Sequence, residues 1–168
     1  MSKYLNHNYY HVNDEFYTPK KLVDIIKPYI SKDKVIWCPF DTENSEFVKE
    51  LSKTNKVIYS HIDNNQSFFE YEPTENYDII VSNPPFSKKI EVFKRLYALN
   101  KPFAIIMPMS ILNYNIINNF FIDKDMQLLI VDKKISFIKG RKGNMFNSSY
   151  FCRKLLPKDI IFTHIEKD

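Results

Sequence analysis

The chain has 168 residues, of which 44% are hydrophobic and 15% aromatic, and it carries a formal net charge of +4. This length and composition predict one globular domain with a substantial core. The charge permits a nucleic-acid partner without requiring one. No apolar run is long enough to span a bilayer and no signal peptide is present, so we expect a cytoplasmic protein without a membrane partner.

Cysteine and glycine usage exclude several kinds of site. Cys38 and Cys152 lie in apolar, strand-like runs with no zinc-binding spacing, so we expect two buried thiols and no metal. The only two glycines are Gly140 and Gly143, in one short segment. Without a glycine-rich phosphate cradle, Rossmann dehydrogenases and P-loop enzymes are excluded. Every other tight turn must then use Asn, Asp, Ser or Pro.

Predicted helices and strands alternate through the first half of the chain. Residues 1–14 have no clear period and are predicted to form a flexible N-terminal arm, which leaves 15–168 as the domain. Thr18 as N-cap and Pro19 at the first helical position predict a helix there. A strand at 35–39, a helix at 47–51, and strands at 56–61 and 78–82 follow.

The second half begins with the same alternation and then changes. Ser87 is predicted to cap a helix, and the elements after it are a strand at 102–107, a helix at 111–121 and a strand at 127–131. The tail contains three predicted strands without intervening helices, at 135–138, 149–155 and 160–164. Alternation followed by adjacent strands predicts an α/β fold with a mostly parallel sheet and an antiparallel end.

A rigid polar corner directly follows the buried strand at 78–82. It consists of Asn83, Pro84, Pro85 and Phe86. Each proline fixes its own φ and keeps the preceding residue extended. The Asn83 side-chain oxygen and the Pro84 carbonyl are then fixed acceptors beside the Phe86 ring, an arrangement suited to a nucleobase amino group. The alternative is an ordinary rigid turn, because Asn-Pro dipeptides commonly initiate turns.

Ser82-Asn83-Pro84-Pro85-Phe86 resembles the catalytic motif of S-adenosylmethionine-dependent amino-methyltransferases, which methylate N6 of adenine or N4 of cytosine. The resemblance is greatest to small stand-alone N6-adenine methyltransferase-like proteins of phages and low-GC bacteria. It implies a single-domain, Rossmann-like methyltransferase fold with helices on both faces of a twisted sheet and an antiparallel C-terminal hairpin. It also implies S-adenosylmethionine as cofactor and DNA, with RNA second, as partner. Protein-glutamine methyltransferases share this type of motif, so the motif alone does not fix the substrate.

The resemblance also assigns cofactor contacts. The candidates are Tyr17, Thr18, Pro19, Pro39, Phe40, Asp41, His61, Asp63, Phe68 and Phe69. Asp41 is expected to pair with the cofactor's ammonium group, and either His61 or Asp63 with its ribose. The two phenylalanines are expected to flank the adenine ring, with at least one of them in the core.

One departure from the family pattern concerns the loop after the first strand. Pro39, Phe40 and Asp41 stand where the family has glycines, which let the backbone approach the cofactor closely. The site is therefore either active without them or has lost its cofactor. In the second case the chain would be a non-catalytic module that binds nucleic acid or protein in a regulatory or counter-defence role.

Basic residues supply candidate nucleic-acid contacts. Lys88 and Lys89 follow the corner, and Lys139, Arg141 and Lys142 lie in the glycine-containing segment. That segment could grip phosphates or be a solvated hairpin loop. The chain has no room for a separate target-recognition domain, so specificity would be short or shape-based, or would come from a homodimer or a partner subunit.

Overall fold

The structure is a computed structural model that describes residues 18–137 and 145–165. The predicted N-terminal arm at 1–14 and Tyr17 lie outside the described residues. So do the two glycines and the basic residues Lys139, Arg141 and Lys142.

The described ranges contain four α-helices and nine strands in chain order. The helices are α1 Lys20–Ile26, α2 Glu46–Leu51, α3 Lys89–Leu99 and α4 Asn115–Phe121. The strands are β1 Val35–Cys38, β2 Lys56–Tyr59, β3 Ile79–Ser82, β4 Phe103–Pro108, β5 Gln127–Val131, β6 Ile135–Ser136, β7 Met145–Phe146, β8 Ser148–Arg153 and β9 Ile160–Thr163.

Seven of these strands form one sheet in the order β2-β1-β3-β4-β8-β5-β9. The first four neighbours are parallel, β8 is antiparallel to both β4 and β5, and β9 is parallel to β5. The prediction of a mostly parallel sheet with antiparallel C-terminal pairing is confirmed. The antiparallel strand lies inside the sheet, between β4 and β5, and β6 and β7 pair separately.

Both faces of the sheet are covered by helices, as predicted. Along β1, Ile36 and Cys38 belong to one buried cluster and Trp37 to the other. This alternation follows from the period of two along a strand. Helices α1 and α2 pack in the first cluster, and α3 and α4 in the second. Cys38 and Cys152 are both buried free thiols, as expected.

Two predicted helix starts and one predicted helix are wrong in detail. Helix α1 begins at Lys20 with extended Pro19 before it, and Thr18 does not cap it. A 3₁₀ turn at Phe86–Lys88 delays α3 to Lys89, so Ser87 is not its N-cap. The helix predicted at 111–121 is split at Tyr114, whose backbone is extended.

Tight turns in the described residues use asparagine where glycine would be usual. Asn65 (φ 58°) and Asn100 (φ 53°) adopt the left-handed conformation, and both terminate helical turns. Asparagine tolerates this region better than other non-glycine residues. The prediction is thus confirmed at these two turns and wrong at Lys154 (φ 53°), where a lysine takes the left-handed conformation. Among the described residues, no helix is long and apolar enough to cross a membrane.

Candidate active site

The loops after β1, β2 and β3 are joined at the carboxyl edge of the sheet. The three strands are parallel neighbours, so their ends meet at one edge. The backbone N–H of Asp41 donates to the Ser60 carbonyl at 3.2 Å, and Ser60 N–H donates to the Cys38 carbonyl at 3.1 Å. The Phe40 N–H donates to the Ser82 hydroxyl at 3.3 Å. Hydrogen bonds to neighbouring strand ends therefore hold the glycine-free loop.

Asp41 is an internal residue of this edge. Its relative exposure is 6%, and its carboxylate accepts a hydrogen bond from the Ser82 hydroxyl. Burial raises the pKa of Asp41 to about 6, against opposing effects of the hydrogen bonds from Ser82 and Ser45 and of the nearby His61. The carboxylate thus ties the loop after β1 to the residue that precedes Asn83.

The rigid corner has the extended geometry that its prolines dictate. Pro84 is buried, and Pro85 is extended with φ −63° and ψ 126°. The Asn83 side-chain Nδ2 donates to the Thr18 hydroxyl at 3.1 Å. Thr18 is itself buried, so this bond fixes the plane of the Asn83 amide. Thr18 therefore belongs to the site as the partner of Asn83 rather than as a helix cap.

Phe86 is half-buried beside Asn83 and packs against a second aromatic ring. The centroids of Phe86 and Phe137 are 6.0 Å apart, with an interplanar angle of 83°. This edge-to-face contact is a favoured aromatic geometry. Phe137 is buried and was missed by the sequence analysis, because nothing local connects it to the corner.

Aromatic side chains line the edge beyond β1 and β2. The rings of Phe40 and Phe68 are 4.9 Å apart, and Phe68 also contacts Trp37 at 5.5 Å. Phe68 is buried, whereas Phe69 is 36% exposed, which confirms that one of the pair is a core residue. The Arg95 side chain donates from Nε to the Phe68 carbonyl at 3.1 Å and so holds this segment in place.

His61 and Asp63 form a turn just beyond β2. The His61 Nδ1 accepts a hydrogen bond from the Asp63 backbone N–H at 3.3 Å, at the start of the 3₁₀ turn Ile62–Asn64. This turn-forming bond makes use of one His61 ring nitrogen, while the Asp63 side chain is exposed. Ile62, between them, is also exposed and was not predicted as a site residue.

The basic residues near the corner differ in environment. Lys88 is exposed, whereas the Lys89 ammonium lies 5.1 Å from the centroid of the Tyr114 ring. Tyr114 was not predicted as a site residue. In the described part of the chain, no group of three or more His, Cys, Asp or Glu side chains could hold a metal ion.

Comparison with known proteins identifies the fold. No family model and no curated protein sequence matches the chain. A modification subunit assigned to a type I restriction enzyme from Vibrio vulnificus YJ016 aligns over 92% of this chain and 48% of its own, at 12% identity and a TM-score of 0.56. The present chain thus spans about half the length of that subunit.

Two nucleic-acid methyltransferase structures are similar over more of their own length. A protein assigned as an RNA methyltransferase from Pyrococcus horikoshii aligns over 84% of this chain and 88% of its own, at 15% identity and a TM-score of 0.53. The 23S rRNA methyltransferase ErmE aligns over 86% and 70%, at 10% identity and a TM-score of 0.51. The chain therefore has the Rossmann-like fold of class I methyltransferases.

Proposed function

We propose that the chain is an S-adenosylmethionine-dependent methyltransferase that modifies an exocyclic amino group of a nucleobase, N6 of adenine in DNA. The observation that carries this proposal is the Asn83-Pro84-Pro85-Phe86 corner at the carboxyl end of β3, with the Asn83 amide held by Thr18. Ligands of open α/β sheets bind at this edge. The motif's resemblance to amino-methyltransferases and the class I fold point the same way.

The corner would act by positioning the target amino group. The Asn83 side-chain oxygen and the Pro84 carbonyl accept its two N–H bonds, and the Phe86 ring stacks on the base. S-adenosylmethionine, when bound, supplies an electrophilic methyl group. In the proposed transfer, that methyl group would pass from the sulfonium to the amino nitrogen held by Asn83 and Pro84, and the nitrogen would release a proton to water. Because Asn83 is neutral, it orients the nitrogen without acting as a strong base, and the rate comes mainly from positioning.

The cofactor would lie against the loops after β1 and β2. Phe40 and the exposed Phe69 fit an adenine ring. Either His61 or Asp63, whose ring Nδ1 and carboxylate oxygen lie 3.2 Å apart, would bind the ribose hydroxyls. Asp41 remains a proposed partner of the ammonium group. Its burial means that this group would compete with Ser82 for the carboxylate. Tyr17, Thr18, Pro19, Pro39 and Phe68 complete the proposed cofactor contacts.

A second candidate is a non-catalytic module with the same fold. The observation that favours it is the loop after β1, where the Phe40 and Asp41 amides and the Asp41 carboxylate already bond within the protein. A loop engaged in this way offers a cofactor few free groups. The stiff geometry of the corner has no evident use in such a module, so we favour catalysis.

The partner of the methyltransferase would be nucleic acid, with DNA favoured over RNA, whereas the non-catalytic module would bind nucleic acid or a protein. The proposed contacts are Lys88 and Lys89, together with Lys139, Arg141 and Lys142. The last three lie in sequence between Phe137 and Asn147. Phe137 packs on Phe86, and the Asn147 carbonyl accepts a hydrogen bond from the Met109 N–H at 2.7 Å. Target recognition would be short or shape-based, or would be supplied by a homodimer or a partner subunit.

The substitution Asn83→Ala tests the proposed role of the corner. We expect it to reduce transfer of labelled methyl groups from S-adenosylmethionine to adenine-containing DNA by at least about 100-fold, because positioning supplies most of the rate. Cofactor affinity, measured by calorimetry, should stay within about threefold of wild type, since the amide faces the target base. Mass spectrometry of the product would identify the methylated atom.

Asn76→Ala is the matched control, because Asn76 is exposed and precedes the amino end of β3, far from the corner. It should leave both transfer and cofactor binding unchanged. If Asn83→Ala lost methyl transfer and cofactor affinity to the same extent, the proposed role of Asn83 would be contradicted.

A further inference from the structure

Tyr114 and Lys89 form an exposed cation–aromatic pair near the corner. The Lys89 ammonium lies 5.1 Å from the centroid of the Tyr114 ring, within the usual range for this interaction. Tyr114 nevertheless remains 47% exposed. The pair therefore restrains the ring without burying it.

Other cation–aromatic pairs in the described residues have a different environment. Their rings belong to Tyr77, Tyr97 and Phe120, which lie in or pack against the core cluster around Trp37. A packing role accounts for those three rings. Tyr114 belongs to neither core cluster of the described residues, so packing does not account for its position.

The parallel pairing of β3 and β4 brings Tyr114 to the same sheet edge as Asn83. Ser82 lies opposite Ile105, and the chain continues from β4 through the 3₁₀ turn Met109–Asn113 to Tyr114. Lys89 begins α3 directly after the 3₁₀ turn that contains Phe86. The pair thus joins the segment after β3 to the segment after β4.

We propose that Tyr114, backed by Lys89, is a stacking platform for a base next to the target base in a single-stranded nucleic acid. The inference rests on the proposed function. Every base has a π-face, so stacking on an aromatic side chain binds a strand without reading its sequence. A lysine behind the ring adds attraction to the phosphate backbone. Such a platform would hold a substrate strand beside the target base.

Fluorescence anisotropy with a labelled single-stranded DNA that contains one adenine among thymines would test the platform. Tyr114→Ala should raise Kd at least about fivefold, because stacking on an aromatic ring contributes about that factor or more. Tyr114→Phe keeps the ring and should stay within about twofold of wild type. Lys89→Gln should weaken binding and flatten its salt dependence. Phe162→Ala is the matched control, because Phe162 is an exposed aromatic on the edge strand β9 and should have no effect.

The same samples would be assayed for cofactor binding and methyl transfer, which separates the two proposals. Equal Kd values for Tyr114→Ala and wild type, with transfer intact, would overturn the platform and leave the proposed function standing. A lower melting temperature without a change in Kd would likewise overturn it, in favour of a packing role. A wild-type protein that neither binds nor methylates the oligonucleotide would overturn both proposals.

Discussion

The buried Asp41 side chain helps to fix the loop after β1, which has no glycine. A loop without glycine has fewer backbone conformations available, so hydrogen bonds to specific partners are needed to hold it in place. Ser82 is that partner, because its hydroxyl donates to the Asp41 carboxylate and accepts from the Phe40 N–H. The same serine directly precedes Asn83. The loop after β1 and the proposed catalytic corner are therefore linked through two small polar side chains.

This burial makes the stability of the protein depend on pH in a defined direction. The pKa of Asp41 is about 6 in the folded protein, whereas an aspartate that is not buried has a pKa near 3.8. Between these values the folded state binds more protons than the unfolded state, so the free energy of unfolding falls as pH rises. The expected contribution is about 3 kcal/mol, present below pH ~4 and lost above pH ~6.

The substitution Asp41→Asn should remove this component while keeping an acceptor for Ser82. Urea unfolding at several pH values between 4 and 7 would measure it. We expect the free energy of unfolding to fall less steeply with rising pH in the variant than in wild type. Parallel pH profiles for the two proteins would contradict the assigned burial of Asp41.

Helix α1 is held to the sheet by a buried hydrogen bond between elements. The Tyr150 hydroxyl, on β8, donates to the Leu22 carbonyl at 2.8 Å, and the Tyr150 side chain is fully buried. Thr18 lies just before this helix and holds the Asn83 amide. The strand inserted between β4 and β5 thus helps to fix a residue of the candidate site.

Tyr150→Phe should lower the free energy of unfolding by about 1 kcal/mol, the usual net contribution of one hydrogen bond. Tyr59→Phe serves as the matched control, because Tyr59 is 41% exposed on the edge strand β2 and should change stability little. Urea unfolding of both variants would measure the difference. A Tyr150 variant as stable as the control would show that this bond does not hold α1.

A strained turn next to β8 offers an independent test at the level of elements. Lys154 has φ 53°, and its ammonium and the Arg153 guanidinium both donate to the Asn100 side chain at 3.3 and 3.0 Å. Left-handed backbone costs ordinary residues about 1 kcal/mol more than it costs asparagine or glycine. Lys154→Asn should therefore raise the unfolding free energy by about 0.5 kcal/mol. Thermal and urea unfolding would measure it, and a destabilised variant would contradict the assigned turn.

At the scale of the molecule, local sequence patterns predicted the elements but not their long-range contacts. Apolar runs and helical spacing were sufficient for the α/β class and the parallel strands, because both follow from short-range periodicity. The insertion of β8 between β4 and β5 depends on pairing between distant segments, which no local pattern encodes. The corner around Asn83 was recognisable because its two prolines fix the backbone locally.

The direct contacts of the corner could not be predicted for the same reason. Thr18 was expected at the site only as a cofactor contact, and its hydrogen bond to Asn83, like the packing of Phe137 on Phe86, joins distant parts of the chain. The burial of Asp41 depends on the packing of three loops together, so the sequence, which indicated only a contact to the cofactor's ammonium group, gave no sign of it. Tyr114 gave no signal, because an isolated tyrosine at the start of a helix has no distinctive local pattern.

Calorimetric titration of the protein with S-adenosylmethionine tests whether the site binds the cofactor that methyl transfer requires. We predict saturable binding of one cofactor per chain in the micromolar range. Phe69→Ala should weaken that binding about fivefold, because it removes an exposed ring that would stack on adenine. The absence of measurable heat at millimolar cofactor, with the wild-type protein folded, would contradict methyl transfer and leave the non-catalytic module as the better account.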